Sequence, residues 1–396
     1  MDLLQILQRI AIPRSNYSDA LDKVAAYLQE LLTAWGIPFT VQEFALRAHA
    51  LHLIAIACLT CALLVLFFVL KRKPLAVLIF ALAIPAIIIV EFELWIPTVS
   101  ALISKPGENI IITFTAPEPV RELVFNAHYD SKTDYWDHAQ RYMVYKWITV
   151  FFVVGPLLAL WVFLTKKITA LTKPVFRYLA ACLAIIYVFY WCLCAFGFVG
   201  HILLAKHEQS FGAVDNAASV VMLLALAKDM HDGTLKPRTS NVTILLGSGE
   251  EVGLQGAFAY VKKYLEQRGG SKLPVYAIDL DSVGDYGNLI YPKKVGARFK
   301  YYNVDPELEK RIRTAWKNVS GADIDVDDKS YATDAIAFAK AGIPTIELGN
   351  TGRPGIGNRG LHSIHDNINR VSMRTIELTV RMLREFIEGF DAKSAA

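Results

Sequence analysis

This chain of 396 residues is poor in cysteine and in charge, and it carries no long block of one sign. Its five cysteines, Cys58, Cys61, Cys182, Cys192 and Cys194, all fall inside long apolar runs, where a thiol behaves as a small apolar group. That excludes a disulfide framework and removes cysteine from any water-exposed metal site. Charged residues make up 20% of the chain and the net charge is only +4, so nucleic acid is not an expected partner. The N-terminus also lacks the basic start and small-residue cleavage site of a leader, with Asp2 in the first turn, so no cleavable signal peptide is expected.

What is present in quantity is hydrophobicity: 54% apolar residues and a mean hydropathy of +0.34, high for a chain dissolved in water. Four runs, Leu51–Leu70, Leu75–Val90, Trp147–Leu164 and Tyr178–Leu204, approach or exceed the ~17–20 residues that span a bilayer. The second is the shortest, contains Pro85, and runs into Glu91 and Glu93, which mark its exit into the headgroups. Lys71, Arg72 and Lys73 join the first pair, and Lys166, Lys167, Lys173 and Arg177 join the second. The excess of cations in short loops places both hairpin tips in the cytoplasm. The expectation is an integral protein of a plasma or inner membrane, with the bilayer as a partner and the first span as an uncleaved anchor. Everything outside the hairpins is then extracytoplasmic.

The chain therefore divides into hairpins at 47–106 and 147–205 and a water-exposed domain assembled from 1–46, 107–146 and 206–396. That remainder alternates helix and strand. Ser18 can cap a helix reaching Trp35, with Gly36 to stop it. Strands are expected at Phe39–Phe44, Asn109–Phe114, Leu123–Ala127, Asn241–Leu246, Val275–Leu280 and Thr345–Leu348. Helices are expected at Ala217–Met230, Gln255–Gln267, Pro306–Val319, Thr333–Ala341 and Met373–Phe390. Alternation of this kind, with nearly all-apolar strands, predicts an α/β sandwich on a largely parallel sheet.

Chemistry gathers outside the carboxyl ends of strands in such folds. His128, Asp215, Glu251, Asp281 and His362 follow apolar runs and are metal-ligand types, with Glu250 beside the third. In His128-Tyr-Asp130 the carboxylate can orient a metal-bound ring. Of the adjacent Glu250 and Glu251, one can bind metal while the other takes a proton. Taken singly each has a bland counterpart: Asp215 as a helix cap, Asp281 as turn chemistry, Glu250 and Glu251 as a solvated turn. Position alone leaves Asp279 open beside Asp281, and His365 beside His362. The acidic run Asp323, Asp325, Asp327 and Asp328 reads as a solvated strand edge, with calcium as the competing reading.

Taken in order, five motifs closely resemble the M28 family of zinc peptidases: His-Tyr-Asp-Ser at 128–131, Gly-Ala-Val-Asp-Asn-Ala-Ala-Ser at 212–219, Gly-Glu-Glu-Val-Gly-Leu-Gln-Gly-Ala at 249–257, Asp-Ser-Val-Gly at 281–284, and His-Ser-x-x-Asp at 362–366. The resemblance implies a three-layer α/β/α sandwich with a mixed, largely parallel sheet. It also implies a co-catalytic pair of Zn2+ ions bridged by Asp215, with His128 and Asp281 on one ion and Glu251 and His362 on the other. Glu250 would be the general base, Asp130 would orient His128, and Asp366 would support His362. The motif matches, not periodicity, select Asp281 and His362.

The implied activity is hydrolysis of N-terminal residues from peptides. Two departures bear on substrate: Leu361 stands where relatives often carry Tyr before the last ligand, leaving Tyr331 as a substitute, and Ala335 stands where His is common. His-Tyr-Asp-Ser-Lys at 128–132 is also reminiscent of glutaminyl-peptide cyclases of the same superfamily, though their Trp before the last His is missing here. A membrane scaffold on a dead peptidase fold is the third reading, and six filled positions argue against it.

Overall fold

Strands without a polar face must be covered on both sides, and the helices between them supply the cover. The computed structural model describes residues 2–136, 138–168, 173–203, 209–267, 273–352 and 360–392. Leu204, the last residue of the fourth apolar run, lies outside the described residues. Two helices, α1 (Leu3–Ile10) and α2 (Asp19–Ala34), lead to β1 (Thr40–Leu46). Helices α3 (Ala50–Leu70) and α4 (Pro74–Phe92) precede β2 (Lys105–Phe114) and β3 (Arg121–His128). Then come α5 (His138–Tyr145), α6 (Ile148–Lys167), α7 (Pro174–Leu203) and α8 (Ala218–His231). The remainder is β4 (Ser240–Gly247), α9 (Gln255–Gln267), β5 (Val275–Leu280), β6 (Leu289–Pro292), β7 (Lys294–Gly296), β8 (Tyr301–Asn303), α10 (Pro306–Ser320), β9 (Asp325–Asp327), α11 (Ala335–Lys340), β10 (Thr345–Asn350) and α12 (Met373–Ala392).

The chain forms two units: Met1–Ala48, Ser104–Thr133 and Glu208–Ala396 make the first, and His49–Ile103 with Asp134–His207 the second. The first is an α/β unit around an eight-stranded mixed sheet of order β1-β2-β4-β3-β5-β10-β6-β9. Its centre is parallel, β4, β3, β5 and β10 running together. Antiparallel pairs join β1 to β2, β2 to β4 and β10 to β6. Behind β3 and β4 lies α8, buried along almost its whole length from Ala218 to Ala227, as expected of a helix with no polar face.

Several local outcomes differ from the pattern reading, each for a physical reason. The Ser18 hydroxyl donates to the Ser15 carbonyl, 3.1 Å away, and so is not spent on capping α2. Asp2 instead caps α1, accepting from the N–H groups of Leu4 and Gln5. Strand β2 begins four residues early because Leu46 to Phe44 pair with Lys105 to Gly107. A Cβ on Gly107 would sit 2.6 Å from the Leu46 Cβ, so only glycine fits there.

In the second unit, α3, α4, α6 and α7 carry the four apolar runs, and all four helices are long and apolar enough to cross a membrane. Pro85 and Pro156 are accommodated inside α4 and α6 without ending them. Small residues face inward: Ala62, Ala81 and Ala184 are fully buried, and a Cβ on Gly155 would meet the Ala81 Cβ at 2.7 Å. Large apolar residues face outward, with Leu75 70%, Phe189 62% and Leu70 61% exposed. Exposed apolar surface of this extent is what water would penalise. Arg72 of the first tip donates to the Thr165 carbonyl of the second at 3.2 Å, so both basic connections lie at one end of this unit. Glu91 does not simply face solvent: it is buried and accepts from the backbone and hydroxyls of Thr98 and Ser100.

Candidate metal centre and active site

Parallel register aligns the ends of the central strands, with His128 opposite Gly247 and Asn126 opposite Asp279. The carboxyl ends of β3, β4 and β5 therefore present His128, the Glu250–Glu251 turn and Asp281 to one place. Asp215 enters from a distorted turn at 213–217 ahead of α8, and His362 from the loop after β10. His362 holds φ +61, a left-handed conformation that a non-glycine residue adopts only when its surroundings impose it.

His128 Nε2 lies 3.3 Å from Asp215 Oδ1 and 3.9 Å from both Asp281 Oδ2 and Glu250 Oε2. His362 Nε2 lies 3.2 Å from Asp215 Oδ2 and 3.2 Å from Glu251 Oε2. Two triads result, His128–Asp215–Asp281 and Asp215–Glu251–His362, each with ligand atoms within 4.8 Å of one another and with Asp215 common to both. Asp215 offers one oxygen to each histidine.

The surroundings test whether cations fit. His128 Nε2 and Glu251 Oε1 are buried polar atoms without a hydrogen bond, an arrangement that costs roughly 1–3 kcal/mol per atom unless something else satisfies them. Burial, followed by Glu251 and Asp281 as like-charged neighbours, pushes the Glu250 carboxyl well up. Burial and Asp215 do the same to Asp281. Against burial, the two histidines hold Asp215 well below the usual carboxylate range. The centre thus carries more carboxylate than its own cations neutralise. Imidazole and carboxylate donors in this number suit zinc, cobalt or manganese.

The residues around the centre explain its precision. Asp130 is fully buried, with one oxygen 3.4 Å from His128 Nδ1. It accepts from Asn16 Nδ2 at 2.6 Å and from the N–H groups of Glu250 and Glu251 at 3.3 and 3.1 Å, tying the His128 ring to the glutamate turn. Burial raises its carboxyl, but His128, Asn16 and the Glu251 N–H outweigh that and hold it below its ordinary value.

The open pairs separate by geometry. Asp279 accepts from Asn126 and from the Ala335 N–H, whereas Asp281 faces His128. His365 is exposed, whereas His362 is buried. Asp366 takes the N–H groups of Val214 and Asp215 at 2.8 and 3.2 Å, so its visible support goes to the Asp215 turn. The Tyr331 hydroxyl is bound to Asp327 at 2.5 Å, which spends the phenol that was to replace a tyrosine at position 361. The acidic run is dispersed over separate partners: Asp323 on Lys317, Asp325 on Asn288, Asp327 on Tyr331 and Asp328 on Lys293. It edges the sheet at β9 and forms no metal-ligand group among the described residues.

Pattern reading missed Arg14 and Asn16, and it quoted Gly212 in the 212–219 motif without giving it a role. Arg14 is fully buried and donates to four carbonyls: Nε to Tyr129, Nη1 to Ile12 and Phe211, Nη2 to Gly212. It ties the N-terminal segment and the end of β3 to the Asp215 turn, and burial lowers its pKa to about 10. A polar stretch between two amphipathic helices carries no periodic signal of burial. Gly212 has φ +54, and a Cβ there would lie 2.6 Å from the Asp215 carbonyl oxygen and 2.6 Å from the Ser131 Cβ. Gly212→Ala is expected to cost on the order of 2–3 kcal/mol and to reduce metal binding, read as a fall in Tm with a weaker zinc titration. A Tm and a zinc affinity both equal to wild type would refute this.

Residues 198–387 match the model of Peptidase family M28. Over this segment, a little under half of the chain, the sequence is similar to that family. The match spans Asp215, Glu250, Glu251, Asp281 and His362. Among curated proteins no match is found. Solved structures extend the likeness across the M28 fold: a glutaminyl cyclase of Fimbriiglobus ruber is 13% identical with a TM-score of 0.57, covering 97% of this chain and 93% of that one. A glutaminyl cyclase of Bacteroides thetaiotaomicron bound to N-acetylhistamine is 14% identical with a TM-score of 0.55, covering 98% and 96%. A leucine aminopeptidase precursor from Bacteroides thetaiotaomicron VPI-5482 is 15% identical with a TM-score of 0.53, covering 97% and 95%. At such identities the likeness establishes the M28 fold. The family match supports a hydrolase.

Proposed function

We propose that this protein is a membrane-anchored di-zinc exopeptidase, an aminopeptidase that removes N-terminal residues from peptides. The observation that carries the reading is the pair of triads sharing Asp215, with the Glu250 carboxylate 3.9 Å from His128. His128, Asp215 and Asp281 would hold one ion, and Asp215, Glu251 and His362 the other. When bound, two such ions acidify a water and polarise the scissile carbonyl.

The chain's own residues do the rest. Glu250 is not needed as a ligand, so its carboxylate accepts the proton of the attacking water and returns it to the leaving amine as the C–N bond breaks. Asp130 fixes the orientation of His128. The four apolar helices anchor the chain, with the basic tips on the cytoplasmic side and the catalytic unit outside. Alkaline phosphatase fused at the C-terminus should be active and a fusion at the Lys71–Lys73 tip inactive; the reverse pattern would overturn this orientation.

A glutaminyl-peptide cyclase is the second reading, favoured by cyclases among the structural neighbours and by Lys132 following His-Tyr-Asp-Ser. The two differ in nucleophile: water in one, the substrate's own amine in the other, with ammonia leaving. Zinc-loaded protein in detergent is to be incubated with mixed peptides, some with N-terminal Gln and some acetylated, and analysed by mass spectrometry. Loss of single residues from unblocked peptides supports the aminopeptidase. Loss of ammonia from Gln peptides alone supports the cyclase, and no change in any peptide favours a scaffold.

A further inference from the structure

Seven cations crowd the two hairpin tips: Lys71, Arg72 and Lys73 on one, Lys166, Lys167, Lys173 and Arg177 on the other. No Asp or Glu occurs from 47 to 90 or from 138 to 207, so the stretches that build this end bring no carboxylate with them. Six of the seven are exposed. Arg72 is half-buried and is placed differently.

Arg72 holds φ +52, a left-handed conformation in which glycine is the ordinary choice. Its N–H donates to the Val69 carbonyl at 3.0 Å and that of Lys73 to the Phe68 carbonyl at 2.9 Å, closing α3 before Pro74 opens α4. Three residues thus reverse the chain, and the strained one is an arginine. Its side chain crosses to the other tip, where Nη2 donates to the Thr165 carbonyl at 3.2 Å, beside Lys166 and Lys167 at the end of α6. Its Nε is buried and has no hydrogen-bond partner. One turn before Thr165, Trp161 Nε1 donates to the Phe176 carbonyl at 3.1 Å, which draws the neighbour of Arg177 to the same end.

The charge rule that orients membrane proteins accounts for the sign of these residues. It does not account for an arginine at a glycine position, bonded across to the second hairpin. We propose that this end is a binding site for one anionic phospholipid headgroup, its phosphodiester lying against the Arg72 guanidinium with Lys73, Lys166 and Lys167 around it. Arginine meets phosphate through two parallel N–H···O bonds, and the lysines add point charges. Basic pockets between spans on the cytoplasmic side take headgroups of this kind. The occupant is a lipid because the cations ring the ends of apolar helices, where Leu70, Leu75 and Tyr178 are exposed and offer a surface to acyl chains. Bound there, the lipid reinforces the Arg72–Thr165 bond between the two hairpins. The proposal rests on the membrane anchoring proposed above and is independent of the reaction at the metal centre.

In the test, full-length protein in detergent is titrated with phosphatidylglycerol and, separately, with phosphatidylcholine; native mass spectrometry counts bound lipid and Tm is followed in parallel. One phosphatidylglycerol should bind about tenfold more tightly than phosphatidylcholine and raise Tm. Arg72→Gln should weaken that lipid about fivefold. The pair Lys166→Gln and Lys167→Gln leaves the Arg72–Thr165 bond in place and should weaken it by about the same factor per cation removed. Arg72→Lys should recover only part of the loss, because an ammonium lacks the planar fork. Lys310→Gln, on α10 of the other unit, removes the same charge and should change nothing. Equal affinity for the two lipids, or an equal loss in Lys310→Gln, overturns the proposal. So does equal protection by inorganic phosphate, which would make this a site for a free anion. Protein that stays dispersed in buffer without detergent overturns the membrane reading and this proposal together. Protein that needs detergent but shows no preference among lipids overturns the headgroup site alone.

Discussion

Glu250→Gln should lower kcat by roughly 10³-fold while the protein keeps its fold and its zinc, since a positioned general base contributes ~10²–10⁴. The substitution is nearly isosteric, and the Glu250 carboxylate is the one glutamate side chain of the turn outside both triads. The N–H of residue 250 still donates to Asp130 in the variant, so the turn that carries Glu251 keeps its anchor. What disappears is the group that accepts the water proton. Metal analysis beside steady-state kinetics checks the claim. Full metal with lost turnover identifies a base, whereas a matching loss of metal would make Glu250 a ligand and refute the assignment.

Asp215→Ala should abolish activity and empty both sites together. Asp215 gives one oxygen to the His128 side and one to the His362 side, at 3.3 and 3.2 Å, so one substitution dismantles two triads. The loss should exceed the ~10–100-fold in metal affinity that follows from removing an outer partner of a ligand. Retention of one tightly held zinc by the variant would show that the sites do not depend on a shared carboxylate. Removing Asp281, by contrast, should spare the Glu251–His362 side, and comparison of the two variants isolates the bridge.

Much of this was legible in the chain because its physics is local. A run of apolar residues at 50–70 announces a long apolar helix, and its length is enough to cross a membrane. Apolar strands such as Leu123–Ala127 announce burial on both faces, and ligand-type residues just after them mark the carboxyl edge of a parallel sheet. Asp281 was separated from Asp279 by the Asp-Ser-Val-Gly motif alone, since residues two apart share a face of a strand, and the structure then shows Asp279 tied to Asn126 and Ala335.

Other features were not legible because they are settled by partners far away in sequence. Lys105-Pro-Gly-Glu looks like a turn, yet pairing with β1 draws it into β2. The short strands β6, β7, β8 and β9 have too few residues to show a period, and their neighbours define them. Ser18 looks like a cap, but the Ser15 carbonyl takes its hydroxyl. Asp366 sits four residues after His362, and its carboxylate reaches the turn of Asp215, 151 residues away.

The sequence by itself determined the α/β class, the four apolar helices and the residue types of the candidate metal centre, because periodicity, length and donor chemistry are properties of short stretches. Only the tertiary structure decided that Asp215 faces both histidines, that Arg14 and Asn16 belong to the site, and that Lys132 lies against Glu251. Those are distances between segments far apart in the chain, and they exist only once the sheet register has aligned the ends of β3, β4 and β5.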